Sequence, residues 1–191
     1  MASLKDLRNR IDSVKSTRKI TQAMKMVAAS KLRRAQEVAE SARPYSEKLS
    51  NIMSSLNLSL KDSEISPAML KGNLDNKIKL ILVVTSDRGL CGAFNSSIIR
   101  KVKNLVVELE SENISTKLIC VGRKGTEILK NIYGDKVISN FEVTGNQNNL
   151  FNLADNIGSE IIKRFENDEF GSCSIIYNRF QSAISQIVTE Q

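Results

Sequence analysis

Histidine and tryptophan are absent from this chain of 191 residues, and proline occurs only twice. Histidine is the usual general base and a frequent zinc ligand, so its absence excludes histidine-based catalysis and His-ligated zinc. The three cysteines, Cys91, Cys120 and Cys173, are too far apart in sequence to resemble a metal-binding motif. We therefore expect no metal site, and we expect all three cysteines to be buried, reduced thiols.

Long apolar runs are missing as well. No run approaches the ~20 residues that a membrane-spanning helix needs, and the N-terminus lacks the apolar core of a secretory signal. The basic, serine-containing start is a poor transit peptide because Asp6 and Asp12 interrupt it. We expect it to belong to the mature protein.

The positive charge is confined to one end of the chain. The net charge is +7, and the segment Met1–Leu58, with 12 basic and 5 acidic residues, carries all of it. Acidic and basic residues balance over 59–191. Any anionic partner is therefore expected to bind the first segment.

The same segment has no glycine and is rich in strong helix formers, which predicts one long helix over 1–58. Ser3 and Asp6 form a capping pattern at its start, and Pro44 is expected to bend or end it. Apolar residues three or four positions apart, interrupted by Lys31, indicate a coiled-coil seam. The seam comprises Met24, Ala28, Ala35, Val38, Ala42, Tyr45, Leu49, Ile52 and Leu56.

Such a helix is too long for the remainder of the chain to cover. It would extend roughly 84 Å, whereas a compact unit of the remaining residues would be roughly 35 Å wide. The uncovered seam requires a partner: another molecule, another copy, or a segment outside this sequence.

The middle of the helix is strongly basic. Three interpretations stay open: a solvated face, a surface for nucleic acid or an anionic membrane, and a helix seated among acidic loops of a protein. Few aromatic residues lie between the basic ones, which gives no support to stacking on single-stranded nucleic acid. The basic residues are Arg18, Lys19, Lys25, Lys31, Arg33 and Arg34.

Residues 59–76 are polar and are expected to form a connector, and 77–191 alternate between strand and helix patterns. Strands are predicted around KLILVVT, TKLICVG, KVISNFEV, SCSIIYNRF and AISQIVT, with helices between the first four. Leu150, Leu153, Ile157, Ile161 and Phe165 are expected to face inward on the last helix. This alternation predicts an α/β unit with a mostly parallel sheet flanked by helices.

The stretch TSDRGLCGAFN lies between the first strand and its helix, where phosphate-binding loops occur. It contains only G-x-x-G, without the lysine or the spacing of a phosphate loop. We predict a structural turn in which Gly89 and Gly92 allow the backbone conformation, Ser86 and Asp87 supply hydrogen bonds of the turn, and Cys91 packs. We expect no catalytic residue and no cofactor-binding residue; VGRKG, at 121–125, is a second turn of this kind.

Several separate stretches, in order along the whole chain, closely resemble the gamma subunit of the F-type ATP synthase. They are KITQAMKMVAASKLRRAQ, RPY, SDRGLCGAFN and VGRKG. The resemblance implies a central rotating stalk that couples proton flow to ATP synthesis, performs no chemistry itself and binds no cofactor. It implies a long helix of a coiled-coil shaft and a Rossmann-like domain.

The resemblance also implies the partners. These are the alpha and beta subunits of the catalytic ring, the epsilon subunit and the membrane ring of c subunits. The expected location is peripheral, on the cytoplasmic face of a bacterial inner membrane or the matrix face of a mitochondrial one. Contact with the catalytic ring is implied for Ile20, Met24, Lys25, Met26, Lys31, Arg33 and Arg34.

Two other functions remain as alternatives. A basic helical arm on an α/β domain predicts a nucleic-acid-binding protein with strongly salt-dependent affinity. A small nucleotide-binding enzyme predicts nucleotide affinity, for which the sequence gives little reason. Because the chain stops after its last predicted strand, where the family continues into a C-terminal helix, we expect a fragment of a gamma subunit.

Overall fold

The computed structural model describes residues 3–60, 67–73, 75–143, 148–182 and 184–191. The chain divides into two compact units, Met1–Ser63 and Glu64–Gln191. The first unit is one helix, and the second is an α/β unit.

Helix α1, Leu4–Leu60, has 57 residues and contains no buried residue. At its start the Ser3 hydroxyl accepts a hydrogen bond from the Lys5 amide, and the Ser3 amide donates to the Asp6 carboxylate. The helix continues through Pro44, so the prediction that it ends there is wrong. The carbonyl of Glu40, which loses its amide donor to proline, is on an exposed residue that water can reach.

Five strands form the sheet of the second unit, in the order β3-β2-β1-β4-β5. Strands β1 to β4 pair in parallel, and β5 pairs antiparallel with β4. The mostly parallel sheet and the long N-terminal helix confirm the predicted fold class. The strands are β1 Ile78–Val84, β2 Ser115–Val121, β3 Val137–Phe141, β4 Ser172–Phe180 and β5 Gln186–Glu190.

Helices cover both faces of this sheet. The α3 and α4 helices pack on the face that includes Ile81 and Leu118, and α5 packs on the opposite face against Leu80 and Ile119. The helices are α3 Phe94–Ser111, α4 Arg123–Tyr133 and α5 Asn148–Glu166, and a single helical turn, α2 Ala68–Lys71, precedes β1.

Most inward-facing residues were predicted correctly, but Leu150 was not. On α5, Ile157 is buried and Leu153, Ile161 and Phe165 pack against the core. Leu150 is 46% exposed because it lies in the first turn of α5, ahead of the part that packs against the sheet.

The prediction of three buried thiols is correct only for Cys120. All three cysteines are free, but Cys91 and Cys173 are exposed. Cys91 lies in the loop after β1, so the prediction that it packs is also wrong. Cys173 lies on the face of the sheet that α5 covers, and the buried core of that face contains no residue of β4.

Candidate functional site

The loop after β1 occupies the position where open α/β sheets bind ligands. From β1 the chain continues to β2 on one side and then to β3, and it returns after α5 to place β4 on the other side of β1, so the strand order reverses at β1. Crevices at the carboxyl ends of such strands are the usual ligand sites. The contacts of Thr85, Ser86 and Asp87 therefore decide whether space for a ligand exists.

Thr85 joins the end of β1 directly to the start of α4. Its buried hydroxyl donates to the Val121 carbonyl at 2.9 Å and accepts from the Gly125 amide at 3.0 Å. A Cβ atom at Gly122 or Gly125 would collide with Thr85. The strand end and the helix are thus in van der Waals contact, with no gap between them.

The chain's own oxygen atoms also accept from the first amides of α4. The Asp87 carboxylate accepts from the Arg123 amide at 2.9 Å, and the Ser86 carbonyl accepts from the Lys124 amide at 3.1 Å. Helix N-termini attract anions through these amides and through the helix dipole. Here Asp87 supplies the negative charge that a bound phosphate would supply.

The remainder of the loop has an unusual backbone. Leu90 and Gly92 have φ angles of 62° and 60°, and the Leu90 side chain is fully exposed. Ser86 donates its hydroxyl to the Arg88 carbonyl at 2.6 Å, and Asn95 accepts from the Ser86 amide at 3.0 Å. A structural-turn role for Asp87, Gly89 and Gly92 stays a prediction.

An open groove lies beside this loop, between α3 and α4. Leu90, Ile99 and Ile128 are its apolar lining residues, and Arg100, Lys103 and Lys124 are its charged lining residues. The groove therefore combines apolar surface with positive charge, which suits an acidic polypeptide surface.

The residues predicted to contact a partner all lie exposed on α1. Ile20 is 62% exposed, Met24 58% and Met26 64%. Arg33 forms an ion pair with Glu37 at 2.9 Å on the helix surface. The four basic members of the set, Lys25, Lys31, Arg33 and Arg34, are likewise exposed.

Two further classes of site are not found in the described part of the chain. No group of three His, Cys, Asp or Glu side chains converges there in a way that would hold a metal ion. Within the same residues, no helix is both long enough and apolar enough to cross a bilayer.

Two contacts close the crevice at the end of β1, Thr85 with Gly125 and Asp87 with Arg123, and neither was predicted from the sequence. The glycines of VGRKG were the available signal, because a glycine at the start of a helix often permits close approach to a strand. Nothing local in the sequence indicates that Asp87 caps a helix 36 positions further on.

Comparison with known proteins agrees with the fold. A sequence model of the ATP synthase family matches residues 3–191. The ATP synthase gamma chain of Pelagibacter ubique is 48% identical over 191 residues, covering 100% of this chain and 66% of its own. The gamma chain of Paramagnetospirillum magneticum is 49% identical, with 100% and 65% covered. This chain thus spans slightly less than two thirds of these relatives' length.

Solved structures show the same architecture. The central stalk and c-ring structure of the Tetrahymena thermophila mitochondrial ATP synthase matches with a TM-score of 0.70 and 31% identity, covering 90% of this chain and 70% of that one. The rotor of the Euglena gracilis enzyme matches at 0.59 and 20% identity, with 96% and 60% covered, which shows the fold alone. The family model covers nearly every residue, and the relatives described above are gamma chains. This chain therefore belongs to the family of ATP synthase gamma chains.

Proposed function

We propose that this chain is the larger part of a central rotating stalk subunit, which couples proton flow through the membrane sector to ATP synthesis in the catalytic ring. It performs no chemistry itself. The observation that carries the proposal is α1: 57 helical residues with an apolar seam, interrupted at Lys31, and no buried residue. A helix of this kind is stable only when another helix covers its seam.

We also propose a role for each of the three segments predicted from the sequence. Residues 1–58 supply half of a coiled-coil shaft, 59–76 connect, and 77–191 form the Rossmann-like foot. The filled crevice at Thr85 and Asp87 supports a foot that binds partners and no nucleotide.

The proposed partners are the alpha and beta subunits, the epsilon subunit and the ring of c subunits. Solved structures with this fold come from a central stalk with its c-ring and from a rotor. The proposed contacts with the catalytic ring are seven exposed residues of α1: Ile20, Met24, Lys25, Met26, Lys31, Arg33 and Arg34. The proposed location is peripheral, on the cytoplasmic face of a bacterial inner membrane or the matrix face of a mitochondrial one.

A chimaeric gamma chain tests the proposal. These 191 residues replace the matching part of the Paramagnetospirillum magneticum gamma chain, and the complex is assembled with that bacterium's other subunits. We expect ATP hydrolysis that drives proton pumping in membrane vesicles. A complex that does not assemble, or hydrolyses ATP without pumping, would contradict the proposed function.

Substitution of single α1 residues tests the proposed contacts. Met24→Ala or Arg34→Ala in the chimaera is expected to lower ATP-driven pumping, because a partner shifts a conformational equilibrium only through contacts that differ between states. Lys48→Ala, on the same exposed helix but outside the proposed set, is the matched control. If Met24→Ala and Arg34→Ala leave both hydrolysis and pumping unchanged, these contacts are wrong.

The nucleic-acid-binding alternative gains no support from the relatives or solved structures described above, which are ATP synthase gamma chains and stalks.

A further inference from the structure

A cluster of hydrogen bonds ties the chain that enters the sheet to the turn between α5 and β4. The Asn73 side-chain amide donates to the Asp168 carboxylate at 2.6 Å. The Asn76 side-chain amide donates to the Asp168 carbonyl at 2.7 Å. We call Asn73, Asn76, Asp168 and Gly171 the entry clip.

Backbone bonds reinforce the entry clip. The Asn73 amide donates to the Gly171 carbonyl, and the Gly171 amide donates to the Ile78 carbonyl, both at 2.9 Å. Gly171 has no room for a Cβ atom, because the carbonyl oxygens of Asn73 and Asn76 fill that space. The entering segment is thus packed tightly against the turn as well as bonded to it.

The turn itself is held from two other elements. Arg164 on α5 forms ion pairs with Glu160 and with Glu169, each at 2.8 Å. Lys117 on β2 donates to the Glu169 carbonyl at 3.1 Å. The entering chain is therefore attached to a turn that α5 and β2 both fix in place.

The entry clip lies just before β1, so a force on the preceding segment acts first on the hydrogen bonds of the clip. Asn73 and Asn76 precede β1, so a displacement of the chain before Asn73 must break the clip before it reaches Ile78. Strand β1 does not need the clip to stay in the sheet, because it pairs with β2 and β4 and its central residues are buried. Loss of the clip would loosen the entry point and leave the core intact.

We propose that Asp168 is a positioning residue of rotary coupling. It holds the segment before β1 in a fixed position, so that rotation of the connector is transmitted fully to the sheet. This inference rests on the proposed function. In that function the connector is the segment of this chain that joins α1 to the α/β unit. How firmly the connector is attached to the sheet therefore affects how much rotation is lost between them.

An exchange of donor and acceptor tests the role of Asp168. In the chimaeric gamma chain, Asn73→Asp places two carboxylates together and breaks the clip, whereas Asn73→Asp with Asp168→Asn restores one donor and one acceptor. Asp168→Gly is the second variant: it removes the carboxylate at a residue with φ of 58°, which glycine adopts without strain.

Two measurements are made on each chain. Amide hydrogen exchange of the isolated 191-residue chain reports the clip through the amide of residue 73, which donates to the Gly171 carbonyl. Relative to its intrinsic rate, we expect this amide to exchange about fivefold faster in Asn73→Asp, as loss of an exposed hydrogen bond implies. In the assembled complex we expect protons pumped per ATP hydrolysed to fall about threefold, while hydrolysis itself changes by less than about twofold. The double variant is expected to recover both.

The outcomes separate this inference from the proposed function. If the parent chimaera does not pump, the proposed function fails. If the parent pumps and Asn73→Asp pumps equally well per ATP despite faster exchange at the residue 73 amide, Asp168 has no part in coupling. Unchanged exchange at that amide also overturns the inference, since the clip then does not hold the segment. If Asn73→Asp does not fold, Asp168→Gly decides by the same criteria.

Discussion

Close approach of single residues explains much of how the α/β unit holds its shape. Gly125 lies in α4 directly against the Thr85 side chain, and an added Cβ would overlap it. Gly158 also lies inside a helix, α5, but nothing is within 4 Å of its added Cβ. The two glycines thus have similar backbones and opposite surroundings.

We expect Gly125→Ala to lower the free energy of unfolding by about 2 kcal/mol, because the extra methyl group forces Thr85 and the helix apart. Gly158→Ala, the control, is expected to raise it by about 0.5–1 kcal/mol through its higher helix propensity. Urea unfolding followed by circular dichroism measures both. Equal effects of the two substitutions would contradict the close-packing account.

Glu190 gives the edge strand β5 a pH-sensitive attachment. Its carboxylate pairs with Lys101 at 2.9 Å and Lys79 at 3.4 Å. The hydrogen bond from Lys101 lowers the pKa of Glu190 below its ordinary value of 4.5. Because the folded-state pKa is the lower one, this stabilisation is complete above pH 4.5 and is lost as the pH falls through the folded-state value.

We therefore expect Glu190→Gln to destabilise the α/β unit at pH 7 and to make less and less difference as the pH falls through the folded-state pKa, because the carboxyl of the wild-type chain is then protonated too. Urea midpoints measured as the pH is lowered stepwise from 7 test this. Glu142→Gln, at an exposed residue after β3, is the control and should give a small change throughout the series.

For single residues, the sequence predicts which side of a helix faces the core better than it predicts whether a loop residue is exposed. The α5 positions Leu153, Ile157 and Phe165 were identified by their spacing, and they lie in or against the apolar core. Cys91 was expected to be buried because free cysteines usually are, but its exposure is set by a loop conformation that local pattern does not encode.

Among the elements, α4 depends on a residue outside itself. Its N-cap residue, Gly122, has no side chain that could accept a hydrogen bond, and Asp87 from the loop after β1 accepts from the Arg123 amide instead. The contact links two carboxyl-end loops. Asp87 therefore stabilises both the helix start and the closed crevice.

We expect Asp87→Ala to lower the free energy of unfolding by about 1 kcal/mol, the usual cost of losing a helix cap. Asp155→Ala, at an exposed position within α5, should change it by less than about 0.5 kcal/mol. Thermal unfolding of the two variants provides the comparison. An unchanged melting temperature for Asp87→Ala would contradict this prediction, because it would mean that water replaces the carboxylate without loss of stability.

The elements themselves were largely predictable. Helix α1 was predicted from its strong helix formers and lack of glycine. Hydrophobic spacing located α3 and α5, and short apolar runs located the buried strands β1 and β2, because these patterns follow from burial in a core. The continuation of α1 through Pro44 was less predictable, since the cost of a proline depends on whether water reaches the carbonyl that it leaves unpaired.

For the whole molecule, stability is distributed unequally. Helix α1 has no buried residue, whereas the α/β unit encloses two apolar cores on the faces of its sheet. Burial of apolar surface is the main source of folding free energy, so the two units should unfold separately.

We expect the amides of α1 to exchange much faster than those of β1 and β2, and urea to remove α1 helicity before the α/β unit unfolds. Hydrogen exchange with mass spectrometry, together with circular dichroism across a urea titration, tests this. One cooperative transition at every chain concentration would contradict it, whereas protection that rises with concentration would show self-association through the seam.

The absence of buried residues in α1 also has a genetic consequence. Substitutions in most proteins lower abundance by destabilising the fold, which obscures any effect on activity. Exposed positions of α1 outside the seam make no packing contact that a substitution could remove, provided that the new residue still favours a helix. Alleles there should therefore separate into those that alter a partner's behaviour and those that are silent, with few that act through degradation of the chain.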